Sequence, residues 1–195
     1  MGELKEEIRE LEDEIDQREI QRLGGKAAEC PSSYVVVTML ERNNLFNRVL
    51  DVTYGEGRFY CYRKPKLLVG ADPYVQEWTV KPDMFIPRPV WSLFSILKDV
   101  NIGFDVLVCD PPQWNEGVCY HKRKVYSLVV GDAKLIINES IKLAKQLGIE
   151  HMLLHWNKVL DLPIVENKRF LYFARYLHNE GKNTTYFTIY KVEGG

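Results

Sequence analysis

No apolar run in this chain approaches the ~20 residues that a membrane-crossing helix needs, so no membrane partner is expected. The opening residues, MGELKEEIRELEDEI, lack the apolar centre of a secretory signal. Glu6 also stands where an N-myristoylation motif needs Ser or Thr. The four cysteines, Cys30, Cys61, Cys109 and Cys119, form no C-x-x-C pair. Neither structural zinc nor a disulfide framework is expected from them; reduced thiols in a cytoplasmic setting are. His151 and His155 are four apart in an apparent strand, where that spacing gives no shared helical face, so no metal site is expected. Charge of one sign is also lacking. The formal net charge is −1, so any basic surface for a nucleic acid must be local.

What is present suits one soluble globular domain with a small appendage: 195 residues, 46% hydrophobic and 27% charged. The spacing of Leu4, Ile8, Leu11 and Ile15 predicts an amphipathic helix over 2–23, ended by Gly24-Gly25. That divides the chain into an N-terminal helical element, 1–25, and a main domain, 26–195. The helix either lies on its own domain or forms a homodimer or partner-protein contact. A second helix is expected from Ser33 to about Asn43, with Ser32 or Ser33 as its cap. Beyond it, NRVLDVTY, KLLVGAD, DMFI, FDVLVCD and HMLLHW read as strands. VWSLFSILKDV and GDAKLIINESIKLAKQLG read as helices. RFLYFARYLH and TTYFTIYKV, separated by NEGKN, read as a hairpin. Strands that alternate with helices and are apolar almost throughout predict an α/β fold. Its sheet would be mostly parallel with helices on both faces and a C-terminal antiparallel hairpin.

In such a sheet ligands bind beyond the carboxyl ends of the strands, where strand order reverses. Three strand ends carry a carboxylate with turn-forming residues: Asp51-Val52-Thr53-Tyr54-Gly55-Glu56-Gly57, Gly70-Ala71-Asp72-Pro73 and Asp110-Pro111-Pro112. Gly55 and Gly57 permit positive φ and close backbone approach. Asp72, 21 residues after Asp51, suits a ribose diol. A dinucleotide loop would need a third glycine where Tyr60 stands. Asp51, four residues before the first glycine, suits an amino group better than a phosphate.

With these residues in order, the chain resembles the class I S-adenosylmethionine-dependent methyltransferases from about Pro31 onward. That resemblance implies their Rossmann-like fold and S-adenosylmethionine as cofactor. DVTYGEG is similar to their motif I, with Asp51, Thr53, Tyr54, Gly55 and Gly57 around the cofactor; many members have glycine where Thr53 stands. Asp72 and Pro73 are similar to the ribose site, and Asp83 and Met84 are implied adenine contacts. Ser32, Ser33 and Thr38 fall where some such enzymes have a further cofactor-contacting segment. Asp110-Pro111-Pro112 resembles the D-P-P element of enzymes that methylate nucleobase nitrogens. There the usual aromatic follows the second proline directly, whereas here Gln113 intervenes before Trp114.

An exocyclic amine is a weak nucleophile, its lone pair being delocalised into the ring. Accepting its hydrogen bonds at Asp110 and the Pro111 carbonyl, with Pro112 rigidifying the turn and Trp114 stacking on the base, favours a tetrahedral nitrogen. The cluster His121, Lys122, Arg123 and Lys124 lies between Tyr120 and Tyr126, which suits phosphate and base together. The expected function is methylation of a nucleobase nitrogen, in RNA rather than DNA. The alternatives are a protein or small-molecule acceptor, and a non-catalytic cofactor-binding partner subunit. Cys109 and Cys119 have no neighbour that would lower a thiol pKa and read as core or loop residues.

Overall fold

The computed structural model describes residues 12–73, 77–100, 102–112, 133–156, 160, 170–178 and 183–192. In chain order the elements are β1 (Glu12–Asp16), α1 (Gln17–Leu23), α2 (Gly25–Glu29), α3 (Pro31–Arg42), β2 (Arg48–Asp51), β3 (Leu67–Ala71), β4 (Met84–Ile86) and α4 (Leu93–Leu97). There follow β5 (Val106–Cys109), α5 (Ala133–Leu147), β6 (His151–Trp156), β7 (Phe170–His178) and β8 (Asn183–Lys191). Among the described residues the strands form one eight-stranded sheet in the order β1-β7-β8-β6-β5-β2-β3-β4. Pairing is parallel except where β8 runs antiparallel to β6 and β7. The expected mostly parallel sheet with a terminal hairpin is therefore present. Strand order reverses at β2: β3 and β4 extend to one side of it, β5 and β6 to the other. This reversal opens a crevice at the carboxyl ends of β2 and β5.

The near-continuous apolar strands follow from burial of both faces. Leu50, Leu107, Cys109, Met152 and Leu154 pack under α4 and α5. Val49, Val106, Val108 and Leu153 face the opposite layer with α3. The period of two along each strand thus supplies two cores at once. The Asp105 carboxylate fastens the entry of β5 to β2, accepting the Arg48 N–H at 2.8 Å and the Arg48 guanidinium at 2.8 Å. α5 ends with Gly148 at φ +66; its N–H donates to Lys145 O and the Ile149 N–H to Ala144 O, a Schellman closure.

Four local expectations are corrected. Among the described residues of the stretch predicted as one helix, Glu12–Asp16 is instead strand β1, parallel to β7, and Gln17–Leu23 is helical; residues 2–11 lie outside the described residues. The outer edge of β7 would otherwise present unpaired backbone groups, and that demand overrides local helix preference. Ile20 of α1 is buried in the same core as α3. α3 starts two residues early, with Pro31 in its first turn, and has no side-chain cap. The Ser33 hydroxyl instead donates to Phe59 O at 2.7 Å and accepts the Tyr62 N–H at 2.9 Å. The helix expected over VWSLFSILKDV is a single 3-10 turn followed by only five α-helical residues. Finally, Cys30 and Cys61 are joined as a disulfide, their Cα atoms 6.0 Å apart, because the start of α3 is laid against the segment following Tyr60. No described helix is long and apolar enough to cross a membrane.

Candidate active site

β2 lies between β3 and β5, with Asp51 in register with Gly70 on one side and Val108 on the other. The three carboxylates at their ends therefore arrive at one edge of the sheet. Over them lies a cavity of about 450 Å³, lined by Asp51, Thr53, Tyr54, Gly55, Asp72, Pro73, Asp110 and Pro112 among the sequence-predicted residues. Ser32 lines it too, whereas Ser33 is buried beneath and Thr38 is not part of the wall.

Asp51 is 2% exposed. Its Oδ1 accepts the Thr53 N–H at 3.0 Å, and its Oδ2 accepts the Tyr60 hydroxyl at 2.8 Å. Tyr60 thus uses the place of a third loop glycine to hold the acid. Burial raises the Asp51 carboxyl to about 7, the charges of Asp110 and Asp72 adding to the effect and the two hydrogen bonds opposing it. A cation seated here would favour its ionised form. Burial likewise lifts the Tyr60 and Tyr54 hydroxyls and the Cys109 thiol above their ordinary ranges. Cys109 is fully buried and remains a core residue.

The two loop glycines have different duties. Gly55 has φ +50, and a Cβ there would meet nothing within 4 Å; its N–H donates to Asp72 Oδ2 at 3.0 Å. Gly57 has φ +73, and a Cβ would come within 2.7 Å of Val80 O, behind the Tyr54 ring. It does not line the cavity. Tyr54 is fixed by its hydroxyl donating to Val80 O at 2.6 Å and by stacking on Tyr60. Thr53, standing where the resemblance favours glycine, accepts the Asp110 N–H on its hydroxyl at 2.6 Å and so joins the ends of β2 and β5.

Asp83 and Met84 lie elsewhere. They enter β4, at the opposite edge of the sheet, where Asp83 takes the Lys64 ammonium at 2.6 Å and the Leu68 N–H at 2.8 Å. Burial pushes the Asp83 carboxyl up, but those two partners outweigh it and hold it below the usual range. The wall expected from them is built by Pro89, Val90 and Trp91 beyond the carboxyl end of β4; Trp91 is 44% exposed. Pro87 and Pro89, which stop that strand, were the available signal. His155, at the end of β6, also lines the cavity, with Nδ1 2.8 Å from Asp110 Oδ1. The strand-end rule applied to HMLLHW would have found it. Val52, Phe59, Arg58, Glu56 and Ile136 complete the wall. Pro111 is buried beside Asp110 and is not part of it. Trp114 and the basic run His121, Lys122, Arg123 and Lys124 lie outside the described residues.

The sequence matches no protein-family model and no curated protein. Solved structures do match. The chain is similar to yhhF of Escherichia coli, assigned as a methyltransferase, at 11% identity and a TM-score of 0.50, over 84% of this chain and 86% of that one. It is similar to an N-terminally truncated METTL16 methyltransferase domain at 12% identity and a TM-score of 0.52, over 84% and 83%. At such identities the likeness is one of fold, and together with the strand order and the crevice at β2 it makes this a Rossmann-like fold of the class I methyltransferase type.

Proposed function

We propose that the chain is an S-adenosylmethionine-dependent methyltransferase acting on a nucleobase nitrogen, with RNA as the favoured substrate. The observation that carries this reading is the convergence of Asp51, Asp72 and Asp110, from three adjacent parallel strands, on one cavity. The cavity suits the cofactor. Its volume lies in the range of ligand pockets, about 300–1,000 Å³. The space beside Gly55 is open, and the Pro89–Trp91 wall offers an apolar and aromatic surface for a purine.

Asp51 would receive the ammonium of the cofactor's amino-acid end, and Asp72 and Pro73 the ribose, with Thr53, Tyr54 and Gly55 along the chain between them. Gly57 acts indirectly, by letting Tyr54 pack. The bound cofactor supplies an electrophilic methyl group on a sulfonium. Asp110 accepts a hydrogen bond from the acceptor amine and draws its lone pair out of conjugation. Pro111, buried beside Asp110, and Pro112 restrain the turn that presents this carboxylate. The proton lost from the methylated nitrogen passes to Asp110 or to water. Trp114 stacks on the base, and His121, Lys122, Arg123 and Lys124 neutralise phosphates. This assigns the chain to RNA modification in a cytoplasmic setting, with a homodimer or partner-protein contact at residues 1–25, of which β1 and α1 are built into the sheet and core of the same domain.

Calorimetry with S-adenosylmethionine and S-adenosylhomocysteine tests the donor, and transfer of labelled methyl to a random-sequence RNA pool tests the acceptor. Asp110→Ala should abolish transfer with cofactor affinity near normal. Charge reversal at Lys122, Arg123 and Lys124 should weaken RNA binding and flatten its salt dependence. Binding of NAD with no binding of either sulfur ligand at millimolar concentration would sink the reading.

A further inference from the structure

We propose that His155 is a positioning residue of this site that acts through Asp110; the inference rests on the nucleobase-amine reading above. The β5–β6 register pairs Cys109 with Leu154, which sets the next residues of the two strands, Asp110 and His155, side by side. His155 Nδ1 lies 2.8 Å from Asp110 Oδ1, and Nε2 lies 2.7 Å from the Thr185 hydroxyl of β8. The ring is stacked on Phe187, 4.3 Å between centroids and 13° between planes, and meets Phe59 edge-on at 5.6 Å. The imidazole is therefore held by two aromatic rings and at both nitrogens. Its side chain is 16% exposed against 35% for Asp110, so of the two groups lining the cavity the carboxylate is the more open to an incoming acceptor.

The Thr185 hydroxyl carries a single proton, and it lies 3.0 Å from Trp156 O as well as 2.7 Å from His155 Nε2. If the proton goes to Trp156 O, His155 donates from both nitrogens. If it goes to Nε2, His155 is neutral with its proton on Nδ1. With Asp110 ionised, both arrangements place a proton on Nδ1, directed at Asp110 Oδ1. That bond fixes the carboxylate's rotation and assigns Oδ2 to the acceptor amine. Thr53 holds the same residue by its main-chain N–H. A carboxylate free to rotate would meet the amine in many orientations, and alignment is what this chemistry needs.

The first measurement is the side-chain nitrogen spectrum of the full-length protein. His155 should be protonated at Nδ1 in the wild type and shift towards the Nε2 tautomer in Asp110→Ala; an unprotonated Nδ1 in the wild type overturns the pairing. The second is steady-state transfer from S-adenosylmethionine to the random-sequence RNA pool. His155→Gln, which keeps a group near Nε2 and loses the donor at Nδ1, should lower kcat by ~10- to ~100-fold, the range for a lost hydrogen bond to a charged group. KM for S-adenosylmethionine should stay within a factor of ~3, since the loss falls on the transition state. His155→Asn, whose amide nitrogen sits near Nδ1, should recover most of kcat. Equal losses in both variants, or a loss confined to KM, would overturn the positioning role. A wild type inactive on RNA would instead overturn the nucleobase reading, and the nitrogen spectrum alone would then decide the pairing.

Discussion

Asp51→Asn tests the site's electrostatics without any ligand. Asp51 ionises at 3.8 in an unfolded chain and at about 7 in the fold, chiefly because burial strips its charge of water. Between those two values the folded protein holds a proton that the unfolded chain has released. Stability contributed by this group is complete below about pH 4, falls as pH rises, and levels off above about pH 7. At ~1.4 kcal/mol per pH unit the whole loss is about 4 kcal/mol. With the side chain 2% exposed, no discount for solvent screening applies. Asparagine does not titrate, and it keeps one oxygen to accept from either Thr53 or Tyr60. Losing the other bond adds a pH-independent offset of about 1 kcal/mol.

The assay is thermal unfolding of both proteins from about pH 4 to about pH 9, read as the difference between them so that other groups cancel. The wild type should be the more stable at the acid end and lose that advantage by neutrality. The relative shift should be about 8–16 °C, at ~2–4 °C per kcal/mol for a chain of this size. A difference that stays constant across the range would refute the buried-acid account, and with it the picture of a site that awaits a cation.

Alanine at the two loop glycines should separate their roles. Gly57→Ala, with φ +73 and a Cβ within 2.7 Å of Val80 O, should lose more than ~2 kcal/mol in urea unfolding. Gly55→Ala has open space around its Cβ, so it should lose only the ~1–2 kcal/mol of a left-handed residue while weakening S-adenosylmethionine binding by calorimetry. Comparable unfolding losses would contradict the division. The Cys30–Cys61 link spans 31 residues and should contribute about 3–4 kcal/mol. Reductant should therefore lower the melting temperature of the wild type and leave Cys30→Ser unaffected; a wild type indifferent to reductant would mean that the thiols are not joined.

The sheet was legible because every central strand is buried on both faces, which writes an unbroken apolar run into the sequence; VLVC and HMLLHW are instances. The three acidic strand ends were legible for a related reason, since a carboxylate directly after such a run stands out. The stretch Glu12–Asp16 was not, because its conformation answers to the unpaired edge of β7, far away in sequence. Asp83 and Met84 were implied by the resemblance alone; they open β4 at its amino end, whereas the carboxyl-end rule points past that strand to Pro89–Trp91, which do line the cavity. The disulfide was hidden for a similar reason: Cys30 and Cys61 meet through the packing of α3 on the turn after Gly57, which no spacing rule encodes.

Thr53 links these observations. A glycine there would leave the Asp110 N–H without the hydroxyl that now accepts it at 2.6 Å, and the ends of β2 and β5 would be joined only through the sheet. Threonine also places its own N–H on Asp51 Oδ1, so one residue contacts the acid assigned to the cofactor and the acid assigned to the acceptor. Methyl transfer requires donor and acceptor to be aligned across this gap, and a shift of either acid relative to the other lengthens or tilts the path of the methyl group. The departure from glycine therefore reads as a rigid coupling of the two halves of the site. His155 completes it from the other side, fixing the carboxylate whose main chain Thr53 already holds.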